Sequence, residues 1–461
     1  MFKDFLKQYR GAQVSGGNPE SVDYRKISID SRTLQPGEWF LALRGENHDG
    51  HAFIPQALKK NAAAIVAEKK WLEQNAALKP SEYPIIAVND SLDFLQQLGA
   101  WHRRHFSIPL IGLTGSNGKT TTREMMAAVL SGRYRVFRSR GNKNNHIGLP
   151  LMLLQLSDEV EVAVIEMGTN HPGEIALLSS LAQPTAGAIT NIGKGHLGFF
   201  GSLEEIYREK TALFDSLDPA APLFINMEDR FLRKYPCEGR KAIRSGYSKS
   251  CDVWARIEFI DRLGRVKFRL NDTVSIQLKV PGTHQVGNAL LAAAVGLHFG
   301  VGEEDIRAAL EKFSPAEKRM EIFEKDGAVF INDAYNANPD SMRAAVNYLM
   351  VIKQGRGKRI LVLGDMLELG DFAKMEHHSL GEYIAGKPVD FVFLYGPESR
   401  IMQKAIEEGG KKKERAFWYD SHKEIARHLK KILAPHDTVL VKGSRGMTME
   451  KVFDGLWEKE K

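Results

Sequence analysis

Short apolar runs alternate with amphipathic segments along most of the chain. Buried parallel strands give such runs, and the amphipathic segments between them fit helices that cover a sheet. The pattern therefore predicts an α/β fold. Residues 27–32 predict a short strand that runs into a polar turn, and apolar runs predict strands at 39–43, 63–67, 108–113, 160–165, 186–190, 328–331, 359–363, 391–394 and 438–441. Helical spacing is found at 53–58, 121–130 and 203–214, and residues 253–278 alternate in the manner of β-strands.

Chain length divides this pattern into domains. A chain of 461 residues exceeds what one hydrophobic core usually holds, so two or three domains are expected. We place an N-terminal α/β domain at 1–95, a central domain built on a glycine-rich loop at 96–313, and a C-terminal domain at 314–461. In the last of these, strands alternate with helices and end in polar loops. That arrangement predicts a doubly wound, Rossmann-like sheet without a phosphate loop of its own.

The glycine-rich loop is the most informative motif. The strand at 108–113 runs into Thr114-Gly115-Ser116-Asn117-Gly118-Lys119-Thr120, and a helix follows. Glycines let backbone N–H groups converge on an anion, Lys119 supplies a full positive charge, and the Thr120 hydroxyl suits Mg²⁺. The strict pattern has glycine at position 113, where this chain has leucine. The motif predicts a nucleoside triphosphate site in a central P-loop domain, formed by Gly115, Ser116, Asn117, Gly118, Lys119, Thr120 and Thr121.

Two further strand ends carry candidate catalytic groups. Glu166 follows the strand at 160–165, where α/β nucleotide enzymes place a carboxylate directed at Mg²⁺. His196 lies on a glycine-flanked loop after the strand at 186–190. A lone histidine is more often structural than a ligand, so the residue types leave both interpretations of His196 open.

A lysine interrupts the apolar face of the helix at 203–214. Lys210 shares that face with Ile206 and Phe214. A lysine buried there needs a partner or a modification, whereas a lysine that snorkels keeps its ammonium group in water. The residues alone favour snorkelling.

Two polar clusters are candidate substrate sites. Asn142, Asn144 and Asn145 precede an apolar helix, where their amides could bind an anionic substrate or simply cap and turn the chain. Ser31 and Arg32 end the strand at 27–32, where they could contact a phosphate or a uracil. Residue types at that position favour an ordinary surface turn.

Composition narrows the functional classes. A net charge of +7 and a pI of about 9.1 suit polyanionic substrates, but the basic residues are spread along the chain and make no nucleic-acid footprint. The densest basic run, at 411–415, is interpreted as a solvated loop. No signal peptide or membrane span is expected at the N-terminus, and the two cysteines, Cys237 and Cys251, are too few for a disulfide framework. We therefore expect a cytoplasmic protein without membrane insertion.

Together these motifs resemble the Mur ligase family, the ATP-dependent amide-forming ligases of peptidoglycan precursor synthesis. The resemblance spans the whole chain, and the family's variant phosphate loop accounts for the leucine at 113. Within the family, 333–339, 363–370 and 442–446 are most similar to the member that adds D-alanyl-D-alanine to UDP-N-acetylmuramoyl-tripeptide. The Asp-Asn-Pro-Arg motif with which the preceding ligase reads diaminopimelate is absent. The other segments that carry the resemblance are 30–32, 36–37, 114–120, 142–145, 166–168 and the loop of His196.

The resemblance implies a role for each candidate residue. It implies that the nucleotide is ATP, that CO₂ carbamylates Lys210, and that the N-terminal domain binds the UDP part of the substrate. Lys119 would act on the ATP phosphates. The implied ligands of two Mg²⁺ ions are Thr120, Glu166, His196 and carbamylated Lys210. The implied nucleotide contacts beyond the loop are Asn288, near adenine, with Arg319 and Asp333, near phosphate and ribose. The implied substrate contacts are Ser31, Arg32, Asn142, Asn144, Asn145 and Asn336.

The implied reaction is an amide ligation. The tripeptide carboxylate would attack the γ-phosphate of ATP, and the amine of D-alanyl-D-alanine would attack the resulting acyl phosphate. Water would destroy that intermediate, so the third domain is expected to close as a lid. No residue stands out as the base that deprotonates the amine.

Two rival functions are open at this point. One is another amide ligase of the same build, such as an earlier Mur ligase or a folylpolyglutamate-synthase-like enzyme, although the first domain argues against the folate enzyme. The other is an ATPase that ligates nothing. We expect a monomer that acts on small molecules, and the sequence leaves open whether the third residue of the tripeptide is diaminopimelate or lysine.

Overall fold

The computed structural model describes residues 2–75, 83–314, 318–352, 357–409 and 415–457. Most of the predicted basic loop, 411–414, and the start of the predicted third domain, 315–317, lie outside the described residues. The chain forms two compact units. The first comprises Met1–Gly112, Arg135–Gly168 and Glu174–Thr185, and the second comprises Leu113–Tyr134, Thr169–Gly173 and Ala186–Lys461.

The regular elements follow the predicted alternation of strands and helices. Up to residue 189 they are α1 (Phe2–Gln8), β1 (Gln13–Ser15), β2 (Ile27–Ser28), β3 (Trp39–Leu41), α2 (Ile54–Lys59), β4 (Ala64–Glu68), α3 (Lys69–Gln74), β5 (Ile85–Val88), α4 (Ser91–Arg103), β6 (Leu110–Thr114), α5 (Lys119–Leu130), β7 (Val136–Arg138), α6 (Gly148–Leu153), β8 (Val162–Glu166), α7 (Glu174–Ala182) and β9 (Ala186–Ile189).

The remaining elements complete the second unit. They are α8 (Leu197–Phe200), α9 (Leu203–Asp215), β10 (Leu223–Asn226), β11 (Ala242–Gly246), β12 (Val253–Ile260), β13 (Arg265–Leu270), β14 (Val274–Pro281), α10 (His284–His298), α11 (Glu303–Lys312), β15 (Glu321–Lys325), β16 (Ala328–Asp333), α12 (Pro339–Val351), β17 (Arg359–Gly364), α13 (Ala373–Ala385), β18 (Phe391–Tyr395), α14 (Ser399–Gly409), β19 (Ala416–Tyr419), α15 (His422–Ile432), β20 (Thr438–Lys442) and α16 (Lys451–Trp457).

The first unit is organised around an N-terminal sheet of order β1-β5-β4-β3-β2, in which β1 alone runs antiparallel to its neighbour. Trp39 and the α4 residues Phe94 and Trp101 are buried in the core on one face, and Phe40 is buried in the core on the other. The predicted domain boundary at 95 therefore falls inside α4, whose apolar residues complete the N-terminal core.

A short strand of this unit runs into a turn, as predicted for 27–32. β2 ends at Ser28, because the chain turns at Asp30, whose carbonyl accepts the N–H groups of Thr33 and Leu34. Ser31 and Arg32 therefore lie in that turn.

The second unit contains two sheets. In the first, β9, β10, β11 and β12 pair in parallel, while β12, β13 and β14 extend the sheet as antiparallel strands. The C-terminal end of β6 lies beside β9, where Thr190 N donates to Thr114 O at 3.0 Å. The Ala-rich helix α10 packs against α5, the helix that follows the glycine-rich loop.

The second sheet of this unit has the order β15-β16-β20-β17-β18-β19. Every pairing in it is parallel except β15 with β16, so the predicted doubly wound parallel sheet carries one antiparallel edge strand. β15 and β16 are joined by Asp326-Gly327, both at positive φ, which is the two-residue hairpin turn that Asp-Gly favours. The apolar core of this sheet includes Phe330, Phe393 and Phe453.

Two further predictions concern the cysteines and membrane-spanning segments. Cys237 and Cys251 are free thiols. Among the described residues, no helix combines the length and the apolar character that crossing a bilayer requires.

Candidate functional site

The glycine-rich loop leaves β6 and reaches α5 as predicted. Gly118 has φ +80°, a left-handed conformation that favours glycine, and α5 begins at the next residue. A Cβ at position 118 would lie 2.7 Å from Asn288 Oδ1, so a side chain there would push the Asn288 amide aside. Lys119 Nζ folds back over the loop and donates to Gly115 O at 2.7 Å. This strand, loop and helix with a lysine at its start fits a chain of phosphates.

The loop is fastened to the segment that follows β9. Ser116 Oγ donates to Gly193 O at 2.9 Å, and Gly193 N donates back to Ser116 Oγ at 2.8 Å. Asn117 N donates to Asn191 Oδ1 at 3.0 Å. The segment 191–193 therefore fixes the shape of the loop.

Lys210 is buried on α9, with 1% of its surface exposed. Burial lowers the pKa of Lys210 well below its ordinary value, the charge of Lys119 lowers it further, and the charge of Glu209 acts in the opposite direction. The Glu209 carboxylate accepts hydrogen bonds from Thr169 Oγ1 and Gly173 N instead. Within the described residues, Lys210 has neither a hydrogen bond nor an ion pair. The snorkelling interpretation is therefore wrong, because the amine ends inside the protein and not in water.

His196 meets a residue of the C-terminal sheet region. Its Nδ1 lies 2.7 Å from Glu368 Oε2, and Gly198 N donates to Glu368 O at 3.0 Å. The contact with His196 lowers the pKa of Glu368 against the raising effect of burial, and the charges of His196 and Lys119 lower it further. No group of three or more His, Cys, Asp or Glu side chains placed to hold a metal occurs in the described part of the chain.

Glu166 is buried in the first unit at the end of β8, as predicted. Asn144 Nδ2 donates to Glu166 Oε1 at 2.9 Å. Asn145 Oδ1 accepts from Gly148 N at 2.8 Å and so caps the start of α6, while Asn142 is exposed in the preceding turn. Of the two interpretations of this cluster, capping describes Asn145, whereas Asn144 orients a candidate catalytic carboxylate.

Ser31 and Arg32 also lie in the first unit, and they differ in environment. Ser31 is buried and donates to Gln56 Oε1 at 2.8 Å, whereas the side chain of Arg32 is 82% exposed. Arg32 pairs with Asp30, and its hydrogen bonds lower the pKa of Asp30 to about 2. A free guanidinium edge on this turn is compatible with an anionic ligand.

The remaining nucleotide candidates lie in the second unit. Asn288 is buried on α10 beside the loop at Gly118. The guanidinium of Arg319 lies 3.6 Å from the centre of the Tyr335 ring. Asp333 Oδ2 is 2.5 Å from Lys442 Nζ, which also donates to Asn336 O at 2.9 Å. Lys442, on β20, therefore joins Asp333 and Asn336 in one polar cluster.

The structure adds contacts that the sequence did not predict. Asn338 Nδ2 donates to Asn117 Oδ1 of the phosphate loop at 2.8 Å. Lys194 Nζ lies 2.5 Å from Glu376 Oε1, and Lys194 N donates to Asp340 Oδ2 at 2.7 Å. Each pair joins positions far apart in the chain, so spacing gave no signal. Asn338 and Glu368 lie in two polar segments that carry the family resemblance. That resemblance was the only sequence signal that marked them as functional residues.

Family models match three consecutive parts of the chain. The Mur ligase family catalytic domain matches 23–103, the Mur ligase middle domain matches 113–296, and the Mur ligase glutamate ligase domain matches 318–445. The chain belongs to the Mur ligase family. The predicted α/β fold with three successive domains is confirmed.

Individual relatives agree with this assignment over almost the full length. The chain is 37% identical to the UDP-N-acetylmuramoyl-tripeptide--D-alanyl-D-alanine ligase of Bacillus subtilis, covering 94% of this chain and 93% of the relative. A crystal structure of MurF from Acinetobacter baumannii has a TM-score of 0.86 at 32% identity and covers 99% of this chain and 98% of its own. MurF ligase from Thermotoga maritima in complex with ADP has a TM-score of 0.80 at 29% identity, with coverage of 94% and 97%.

A folate enzyme shares only the fold. Folylpolyglutamate synthase of Mycobacterium tuberculosis has a TM-score of 0.62 at 16% identity and covers 80% of this chain. The sequence-based preference for a Mur ligase over that rival agrees with these comparisons.

Proposed function

We propose that this protein is an ATP-dependent ligase that joins D-alanyl-D-alanine to UDP-N-acetylmuramoyl-tripeptide. The observation that carries the proposal is the near full-length identity of 37% to a relative of that name. The site geometry supports the same class of reaction, because it places a phosphate loop beside a buried lysine amine. In this proposal residues 1–95 bind the UDP end, 96–313 bind ATP, and 314–461 bring the dipeptide. The enzyme acts in the cytoplasm as a monomer.

The phosphate loop binds the triphosphate of ATP. Gly115, Gly118 and Thr121 offer backbone N–H groups, whereas the N–H of Ser116 donates to Asn191 O at 2.9 Å and so holds the loop in shape. Lys119 exchanges its contact with Gly115 O for the phosphate oxygens. Asn117 keeps the loop in register through its bonds to Asn191 and Asn338. This rearrangement moves one flexible side chain and leaves the loop backbone in place.

Lys210 is poised to take up CO₂. Carbamylation requires a neutral amine: Nζ attacks the carbon of CO₂, the N–C bond forms and one proton leaves. Burial and the charge of Lys119 favour the neutral amine, which is the state this step needs. The product is a buried anion beside Lys119, whose positive charge compensates it.

Thr120, Glu166, His196 and carbamylated Lys210 would hold two Mg²⁺ ions. Three of the four donors fit, since hydroxyl, carboxylate and carbamate oxygens are ligands that Mg²⁺ prefers, whereas the imidazole of His196 is the one nitrogen donor in the set. When bound, the ions supply positive charge that neutralises two anions approaching each other.

The remaining chain residues orient the substrates. The tripeptide carboxylate attacks the γ-phosphorus, the bond to the β,γ-bridging oxygen breaks, and ADP leaves. Lys119 stabilises the charge that develops on the phosphoryl oxygens. The dipeptide amine then attacks the acyl carbon, the C–N bond forms, and phosphate departs. Water must be excluded while the acyl phosphate exists, and the contacts of Asn338 with the loop would hold the third domain over it.

Other candidates complete the binding sites. In this proposal Asn288 lies near the adenine of ATP. Arg319 and Asp333 lie near its phosphates and its ribose. Arg32 and the Ser31 turn bind the UDP phosphates and base. The contacts to the tripeptide and dipeptide come from Asn142, Asn144, Asn145 and Asn336.

The test is phosphate release from ATP with UDP-N-acetylmuramoyl-tripeptide, measured with and without D-alanyl-D-alanine. The diaminopimelate and lysine forms of the tripeptide are assayed separately. Release that requires both substrates supports the ligase. Release indifferent to the dipeptide overturns the proposed acceptor and favours another ligase or a plain ATPase.

The same assay tests the carbamate. Lys210→Ala is compared with Arg208→Ala, which removes an exposed cation from the same helix. We expect Lys210→Ala to abolish release and Arg208→Ala to retain it, and bicarbonate to raise the activity of wild type and Arg208→Ala but not of Lys210→Ala. Full activity in Lys210→Ala overturns the role of the carbamate while leaving the ligase intact.

A further inference from the structure

Glu368 belongs to the segment that follows β17, and its carboxylate reaches the loop of His196. Glu368 Oε2 lies 2.7 Å from His196 Nδ1, and the charge of Lys119 also acts on this carboxylate. Nothing in the proposed ligation assigns Glu368 a role. Glu368 nevertheless lies close to Lys119 of the phosphate loop and to His196, a proposed metal ligand, which suggests a role in the site.

The backbone on both sides is arranged to make this contact. His196 has φ +59° and Glu368 has φ +65°, a conformation that non-glycine residues adopt rarely and that concentrates at functional sites. The two segments touch closely, since Gly198 N donates to Glu368 O and a Cβ on Gly198 would lie 2.5 Å from Gly370 N. Main-chain packing therefore brings the two side chains together, with His196 19% and Glu368 43% exposed.

The chemistry of imidazole determines which nitrogen of His196 can bind a metal. An imidazole that ligates a metal through one nitrogen commonly donates its other N–H to a carboxylate, which fixes the tautomer and orients the ring. Here Nδ1 is the ring nitrogen nearest Glu368, at 2.7 Å from Oε2, although the two atoms do not form a hydrogen bond in this arrangement of the side chains. A small rotation of either side chain would make that bond and leave Nε2 for a metal. The carboxylate also increases the electron donation of the ring.

We infer that Glu368 is a positioning residue that orients His196 for metal binding, so that a residue of the C-terminal region completes the metal site. This inference rests on the proposed function, because it takes His196 as a metal ligand. It also adds a consequence: the site reaches full affinity only while 368–370 is docked against 196–198.

The experiment measures Mn²⁺ binding to the full-length protein in the presence of ADP, by the loss of the electron paramagnetic resonance signal of free Mn²⁺. The variants are Glu368→Ala, Glu368→Gln, His196→Ala and the double variant His196→Ala/Glu368→Ala. Asp371→Ala is the matched control, since it removes an exposed negative charge from the same segment. Thermal unfolding of each variant checks that the fold is intact, and glutamine keeps an oxygen that accepts from Nδ1–H.

We expect Glu368→Ala to weaken the binding of the Mn²⁺ ion that depends on His196 by about tenfold or more. Glu368→Gln should retain most of the affinity, Asp371→Ala should match wild type, and the double variant should bind no more weakly than His196→Ala alone. Wild-type affinity in Glu368→Ala overturns the inference. Losses that add in the double variant also overturn it, because Glu368 would then act on the metal independently of His196. Unchanged binding in His196→Ala overturns the proposed metal site itself, so the two failures are distinguishable.

Discussion

The ion pair of Lys194 and Glu376 offers a quantitative test of how the second unit is held together. Their atoms are 2.5 Å apart, and the Glu376 side chain is 2% exposed whereas that of Lys194 is 34% exposed. The second carboxylate oxygen of Glu376 is buried and has no hydrogen-bond partner in the described residues. Glu376 therefore depends on one lysine for its compensation.

The perturbation is Lys194→Met, which keeps the aliphatic stem and removes the charge. Leaving one member of a fully buried pair alone costs roughly 3–5 kcal/mol. One-third of the lysine is exposed, so water screens the pair, and we expect a loss of about 1–3 kcal/mol. Glu376→Gln should cost less, since the freed lysine can turn to solvent. In the double variant the two losses should not add, leaving a coupling of about 1 kcal/mol or more.

The assay is native-state hydrogen exchange of peptides from α13, which carries Glu376. A local readout is needed because a chain of several domains does not unfold in one step. Lys404→Met is the control: its partner is Glu408 on α14, both side chains are exposed, and the separation is 3.7 Å. Additive losses from Lys194→Met and Glu376→Gln, or a loss no larger than in the control, would refute the reasoning.

Three further outcomes follow from individual residues. Gly118→Ala should weaken ADP binding by about tenfold or more in calorimetry, because position 118 has φ +80° and a Cβ there would press on Asn288; unchanged affinity would contradict this. Gly198→Ala should lower kcat by about tenfold or more without changing ADP affinity, since its Cβ would displace the backbone at Gly370. Burial raises the pKa of Glu450, but hydrogen bonds from two cations hold it below the ordinary value, so its stabilising effect is full at neutral pH and lost as the pH falls through the folded-state pKa. Native-state hydrogen exchange of peptides from α16, which follows Glu450, should therefore show in Glu450→Gln a loss of about 1 kcal/mol at pH 7 and a smaller loss near pH 4, whereas an equal loss at both would contradict the assignment.

The sequence predicted elements whose signals are local. The phosphate loop, the strands and α9 were predictable because glycine spacing and apolar periodicity lie within a few residues of one another. The burial of Lys210 was only half predictable. Spacing placed it on the apolar face, but whether a long side chain bends to water depends on what packs around it, and that packing is a tertiary property.

Other features had signals that were weak or lay far apart. β15 was missed although Asp326-Gly327 is a good hairpin turn, since Glu321–Lys325 is too polar to form an apolar run. Glu368 and Glu376 could not be paired with His196 and Lys194 from spacing at all.

The segment 191–198 contacts both the phosphate loop and the C-terminal region. On one side its residue Gly193 exchanges two hydrogen bonds with Ser116 of the phosphate loop. On the other side Lys194 and His196 meet Glu376 and Glu368 of the C-terminal region. The segment is short and half of its residues are buried, so a displacement of the phosphate loop is passed on to those acidic partners. Occupation of the loop by nucleotide and docking of the C-terminal region should therefore favour each other, and the coupling is carried by hydrogen bonds and ion pairs that single substitutions can remove.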